Sequence, residues 1–227
     1  MRDAVAALRR HAGPPQRPLT ADPFALVLWE NVAYLAPPAR RLEAFRLLQS
    51  TVGTRPAAIL AAKREALEKV TARGILKATF AARLRECARL ASDDFGGDLD
   101  AVMRLPLDRA KRALRSFPGI GEPGAEEILL FAGRHALLAP DSNTLRVLQR
   151  LGLVEEQSSY ARTYAAAREA ARDLAGDVEL AREAHLLLQR HGRTLCRRHD
   201  PRCGACPLAP RCAHAGRASH PRPDTRR

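Results

Sequence analysis

Four of the five cysteines, Cys196, Cys203, Cys206 and Cys212, fall within seventeen residues in the spacing C-x6-C-x2-C-x5-C. Thiolates gathered in one short loop are metal ligands, and soft sulfur donors suit zinc or an iron–sulfur cluster. Structural zinc usually brings two paired knuckles, whereas only Cys203 and Cys206 form one here. The wide first and third gaps suit a chain wrapped around a larger object. An odd, clustered set of cysteines also argues against a secreted disulfide framework. Cys87 stands apart, on a helix face shared with Leu84, Ala88 and Ala91, and reads as a core residue.

A second chemical signal is Phe117-Pro-Gly-Ile-Gly121. A helix ends near Ser116, the chain turns, and a new helix begins near Glu122. Gly119 and Gly121 permit positive φ and leave the backbone amides open to an anion, and the following helix adds its positive N-terminal end. Ile120 is expected to fold back and fix the turn. With Arg109, Lys111, Arg112 and Arg115 on the preceding helix, the arrangement suits a nucleic-acid backbone gripped without reading sequence. Twenty residues on, Pro140-Asp141-Ser-Asn-Thr-Leu-Arg-Val147 places Asp141 at the N-cap of a helix over 142–151. A carboxylate held there stays ionised and is available for chemistry.

The elements that must carry these residues read as all-α. Asp22-Pro23 opens the apolar run FALVLWENVAYLA, with Asp22 as cap and Pro23 in the first turn, and Pro37-Pro38 halts it. Apolar residues recur at helical spacing through 39–49, around 57–62, 64–70 and 76–91, and again through 99–116, 124–133, 142–151, 158–174 and 177–193. Gly74 and the polar stretch 92–97 read as breaks, and the last fifteen residues as a flexible basic tail. No strand alternation and no internal repeat is present.

The 227 residues carry 38 Lys and Arg against 25 Asp and Glu, a net charge of +13, and only four of the cations are lysines. Arginine forks match phosphates, so a polyanionic partner is expected; an Arg- and Ala-rich genome is the plainer reading of the same composition. No apolar run reaches the roughly 20 residues that span a bilayer, and the N-terminus shows no cleavage pattern. A soluble monomer in a reducing compartment, the cytoplasm around the nucleoid, is the expectation.

Taken together, L-x-x-F-P-G-I-G, a short helix, P-D-S-N-T-x-R-V and the frame LLLQRHGRTLC…PRCGACPLAPRC resemble the helix-hairpin-helix Gly/Pro-Asp DNA glycosylases, and among them the endonuclease III branch. The resemblance runs from about Pro23 to Cys212. It implies a two-lobed fold, with residues 23–135 as a six-helix barrel, residues 1–22 with 136–212 as a cluster lobe, and 213–227 as tail. It further implies a [4Fe-4S] cluster on Cys196, Cys203, Cys206 and Cys212, and duplex DNA gripped through Gly119, Ile120, Gly121, Lys111 and Arg112. By the same likeness Asp141 steadies the positive charge that grows on the sugar as the base leaves, and Ile75 sits where relatives place a wedge that fills the gap left by a flipped nucleotide. Ile75 reads equally well as core.

The chain departs from that pattern twice. Bifunctional relatives place a lysine nucleophile two residues after the second hairpin glycine; here the residue is Pro123. Lysine-dependent strand cleavage is therefore expected to be absent unless Lys77 or Lys111 substitutes. Endonuclease III also has a Ser-x-Gln pattern that Trp29-Glu30-Asn-Val-Ala-Tyr34 lacks, whereas adenine-removing relatives keep a glutamate near Glu30, where it protonates the leaving base. Glu30 is thus a candidate acid, and Trp29 and Tyr34 are candidates to stack on an extruded base. A salt-bridged Glu30 with core aromatics is the alternative. The expected activity is a monofunctional DNA glycosylase acting on a damaged or mismatched base. A non-catalytic DNA-binding paralogue and an abasic-site lyase are the rivals.

Overall fold

The computed structural model describes residues 1–33, 35–133 and 135–219, and among these every regular element is a helix. The chain divides into two compact units, residues 18–134 and residues 1–17 with 135 onward. The helices in chain order are α1 (Arg2–Ala12), α2 (Pro23–Asn31), α3 (Pro38–Thr51), α4 (Pro56–Ala61), α5 (Arg64–Thr71), α6 (Lys77–Phe95), α7 (Asp100–Met103), α8 (Leu107–Leu114), α9 (Glu122–Phe131), α10 (Ser142–Leu151), α11 (Tyr160–Glu169), α12 (Val178–Thr194) and α13 (Ala213–Ser219).

In the unit formed by α2–α9, α2 is apolar around its circumference, and Phe24, Ala25, Leu26, Val27 and Leu28 are all buried. A helix without a polar face belongs inside, and α2 packs against α3, α6 and α9. Its start is fixed as the sequence indicates: the Asp22 carboxylate accepts the Ala25 amide at 2.6 Å and Pro23 stands in the first turn. α6 packs against α2, α4 and α5 and buries Leu84, Cys87, Ala88 and Ala91. It runs through most of the stretch expected to be a break. Ser92–Phe95 stay helical because the first residue able to stop the helix is Gly96, at φ 64°, and the Gly97 amide closes onto the Ala91 carbonyl. Phe95 gains from this, stacking on Phe117 at 5.5 Å.

In the other unit, α12 packs against α1 and α10, and α10 also packs against α11 and α13. Asp141, Ser159 and Asp177 each accept a backbone amide at the start of their helix. The stretch 158–174 is α11 followed by a short 3-10 turn at Arg172–Leu174. The tail expected from residue 213 is corrected for 213–219, which form α13 against α10, with Ala215 buried. No helix among the described residues is long and apolar enough to cross a membrane.

Candidate functional site

In the α2–α9 unit the turn between α8 and α9 is anchored from below. Phe117 and Ile120 are buried, and the Ile120 amide closes onto the Phe117 carbonyl at 3.1 Å. Gly119 is exposed and sits at φ 79°. A Cβ there would also come within 2.5 Å of Asn31 Oδ1, so glycine is required both by conformation and by space. Gly121 is the N-cap of α9 and no side chain caps it, which leaves the first amides of the helix to an outside acceptor. Pro123 occupies the first turn of α9 and contributes neither an amide nor a nucleophile.

The basic residues before the turn separate into two groups. Arg112 is exposed. Lys111, expected to meet phosphate, is instead buried, and its ammonium is ion-paired with Glu122 and, at 3.1 Å, with Glu126. Arg115 also pairs with Glu122, at 3.1 Å. The reason is geometric: the hairpin folds α9 back onto α8, so two carboxylates at the start of α9 reach the side chain of α8 that faces them. A phosphate-contact role for Lys111 is therefore corrected.

Glu30 stands on the last turn of α2, partly exposed, with Arg41 Nη1 3.8 Å away. A Cβ on Gly124 would lie 3.9 Å from Glu30 Oε2, so the carboxyl lies beside the first turn of α9. Trp29 packs edge-on against buried Phe45 at 5.4 Å, with the Arg41 guanidinium 5.8 Å from its ring centroid. The ring is held by these contacts and stays half-buried. Tyr34 lies outside the described residues. Ile75 is 48% exposed and Leu76 62%, with Leu76 held at φ 54°; the alternative that Ile75 is core is excluded.

In the other unit, α10 carries Asp141 at its N-cap. Thr144 N donates to Asp141 Oδ1 at 2.8 Å and Asn143 Nδ2 to Oδ2 at 3.0 Å, while Arg193 Nη2 stands 3.7 Å from Oδ2. Burial pushes this carboxyl up, but the bonds from Asn143 and Thr144, with the charge of His185, outweigh it and hold the group below its ordinary value. Asp141 is ionised at neutral pH.

From Asp141 a hydrogen-bonded chain, not visible in the sequence, leads to the cysteines. Arg146 Nη2 donates to Asn143 Oδ1 at 2.8 Å and to the Gly192 carbonyl at 2.7 Å, and Arg146 Nε donates to the Cys196 carbonyl at 2.9 Å. One turn on, Arg150 donates to Cys196 Sγ at 3.5 Å and to the Arg197 and Arg198 carbonyls. Gly192 permits this approach, since a Cβ there would meet Asn143 at 2.8 Å. The i, i+3 and i, i+7 spacing of Asn143, Arg146 and Arg150 on one helix face is the signal that marks the set.

Cys196, Cys203, Cys206 and Cys212 all line one small pocket, together with Arg150, His191, Leu195 and Leu208. Burial pushes the Cys206 thiol up, and the charges of Cys212, Cys196 and Cys203 add to this. Among the described residues no three donors converge as a single metal ion requires. The donor set is nevertheless all soft sulfur around one space, which fits a sulfur-ligated group in kind. Cys87 is buried and its thiol is pushed up to about 12 by burial, as a core residue.

No family model matches the chain. It is 34% identical over 107 residues to a thymine/uracil-DNA glycosylase of Pyrobaculum aerophilum, covering 47% of this chain and 46% of that protein. An endonuclease III of Sulfolobus acidocaldarius is 28% identical over 119 residues, 52% of this chain and 50% of that one. The chain thus spans about half the length of these curated relatives. A thymine-DNA glycosylase of Aeropyrum pernix is 25% identical over 198 residues, 86% of this chain and 84% of that one. In structure, a trapped endonuclease III–DNA covalent intermediate matches with TM-score 0.76 at 19% identity, covering 96% of this chain and 97% of that one. A thermostable thymine-DNA glycosylase matches with TM-score 0.77 at 17% identity, covering 95% and 96%.

Proposed function

We propose that this chain, which has the endonuclease III-like helix-hairpin-helix glycosylase fold, is a monofunctional DNA glycosylase that hydrolyses the N-glycosidic bond of a damaged or mismatched base in duplex DNA. The observation that carries the reading is the pairing of an ionised, rigidly held Asp141 with a proline where a lysine nucleophile would stand. As the C1′–N bond breaks, its electron pair leaves with the base and positive charge develops on the sugar. A fixed carboxylate stabilises that charge, and water then adds at C1′. Glu30 is the proposed donor of a proton to the departing base, supported by its position beside the hairpin helix and its partly exposed carboxyl. The names of the relatives, among them thymine, uracil and adenine glycosylases, support a base-removing activity in this reading.

The uncapped start of α9 and exposed Gly119 are the proposed phosphate grip, with Arg112 beside it. Exposed Ile75 is the proposed wedge, for which exposure is the first requirement. Cys196, Cys203, Cys206 and Cys212 are the proposed ligands of a [4Fe-4S] cluster, which when bound ties the cysteine loop together. Arg146 and Arg150 then link that loop to the helix whose cap is Asp141. Of the two lysines able to replace the missing nucleophile, Lys111 is held between carboxylates inside its unit, and Lys77 is exposed at the start of α6.

A panel of duplexes holding uracil, thymine glycol, hypoxanthine, alkylated purines and mismatches tests the reading. Excision that leaves an intact abasic strand, and that is lost in Asp141→Asn, supports it. Tight binding with no excision across the panel supports the non-catalytic rival. A borohydride-trapped covalent adduct supports a lyase working through Lys77.

A further inference from the structure

The hairpin poses an electrostatic problem. Its receiving helix begins with Glu122, a carboxylate next to the amides that are to face a phosphate. Two of the four basic residues on α8 and its end, Lys111 and Arg115, are taken up in neutralising that helix. Arg109 and Arg112 stay exposed on α8, so a phosphate arriving at Gly119 gains from any further cation held close to the turn.

One stands against the turn itself. Arg83 projects from α6, and its Nη1 lies 3.2 Å from where a Cβ on Gly119 would be; Asn31 Oδ1 stands 2.5 Å from the same point. The guanidinium is held over the buried Phe80 ring, 4.3 Å from its centroid, one turn earlier on the same helix. Among the described residues no carboxylate lies within ion-pairing distance of Arg83, in contrast to Lys111 and Arg115. The side chain is half-buried, so part of its charge still faces solvent. A stacked guanidinium has lost most of its rotamer freedom already, so less ordering is needed when it binds.

We infer that Arg83, stacked on Phe80 beside Gly119, is a backbone-phosphate ligand of this hairpin and supplies the positive charge that Glu122 removes from it. This rests on the DNA-binding reading above. It makes the phosphate site a joint product of α6 and the α8–α9 turn rather than of the turn alone.

The test is equilibrium binding of the full chain to a short undamaged duplex over a salt series, for the wild type, Arg83→Gln and Arg83→Lys, with thermal melting of each. Neutralising one phosphate contact lowers the slope of log K against log [salt] by about 0.9. Arg83→Gln is expected to show that drop with severalfold weaker binding at low salt and an unchanged melting temperature. Arg83→Lys is expected to keep the wild-type slope while binding more weakly, because the charge remains and the planar stack is lost. An Arg83→Gln protein with the wild-type slope overturns the inference, and so does an Arg83→Lys protein with the reduced slope of Arg83→Gln. If Arg83→Gln fails to fold, the Lys variant decides alone: a slope reduced by one contact despite the retained charge overturns the inference. A wild type that binds duplex without salt dependence overturns the DNA-binding reading itself, a result distinct from any behaviour of the variants.

Discussion

At the scale of single residues, the protein separates reactive from inert groups by their surroundings. Cys87 is buried on α6 and its thiol is pushed up to about 12, so almost no thiolate exists at neutral pH. Alkylation at pH 8 followed by peptide mapping should leave Cys87 unmodified in the folded protein and modify it after unfolding. Asp141 is the opposite case, a carboxyl held below its ordinary value of 3.8 by hydrogen bonds from Asn143 and Thr144. Because the folded value is the lower one, this group stabilises the fold above its unfolded pKa. That contribution fades as pH falls through the folded value, below 3.8. An excision rate limited by Asp141 should accordingly show no acid limb of its own down to pH 5, and any limb in that range belongs to another group. Both residues were legible in the sequence, Cys87 from its helical register and Asp141 from the Pro-Asp start of a helix. Lys111 was not. Its partners Glu122 and Glu126 lie beyond a turn, and only the folding-back of α9 reveals that the ammonium faces them.

At the scale of elements, the helix starts carry the site. Asp141 caps α10 and is the proposed catalytic carboxylate, so the cap and the proposed role must be separated by variant choice. Asn caps about as well as Asp, whereas Ala does not. Asp141→Asn keeps the cap on Thr144 but loses the bond from Asn143, so it should melt below the wild type and above Asp141→Ala, which also loses the cap, worth about 1 kcal/mol; excision should fall in both, by roughly 10²–10³-fold for loss of an electrostatic stabiliser. The α8–α9 hairpin depends on Lys111 in a different way. Lys111→Met removes the ammonium from between two carboxylates, one of them, Glu126, fully buried, and breaking such a pair costs about 3–5 kcal/mol. Chemical denaturation should show that loss, with part of it recovered when Glu126→Gln is added. Several elements were misread for physical reasons. Residues 92–95 look like a turn by composition, yet a helix already packed on both sides continues until Gly96 permits it to stop. Residues 213–219 look like a tail, yet α10 offers a surface on which Ala213 and Ala215 settle. Trp29, a candidate to stack on an extruded base, also packs on Phe45, a contact between α2 and α3 that no local pattern specifies.

At the scale of the whole molecule, the sequence motifs and the fold agree. Helical periodicity points to an all-α chain, and the hairpin, Pro-Asp and cysteine motifs resemble the endonuclease III fold; the structural likenesses bear the fold out. The division of the chain into residues 18–134 and 1–17 with 135 onward places the hairpin, Glu30, Ile75 and Arg83 in one unit. Asp141 and the four cysteines belong to the other, joined there by Asn143, Arg146 and Arg150. That link was hidden because Arg146 and Arg150 reach the cysteine loop largely through backbone carbonyls, those of Gly192, Cys196, Arg197 and Arg198, which leave no trace in residue type. The central claim is hydrolysis steadied by Asp141 with no amine taking part. Its most direct measurement is a single-turnover reaction on a duplex whose base the protein removes, run once without borohydride and resolved before and after alkali, and once with borohydride to trap any protein–DNA adduct. The account predicts that the wild type yields strands cut only after alkali, with no protein–DNA adduct, and that Asp141→Asn yields none. Strands already cut before alkali, together with a trapped adduct in the wild type, would contradict it.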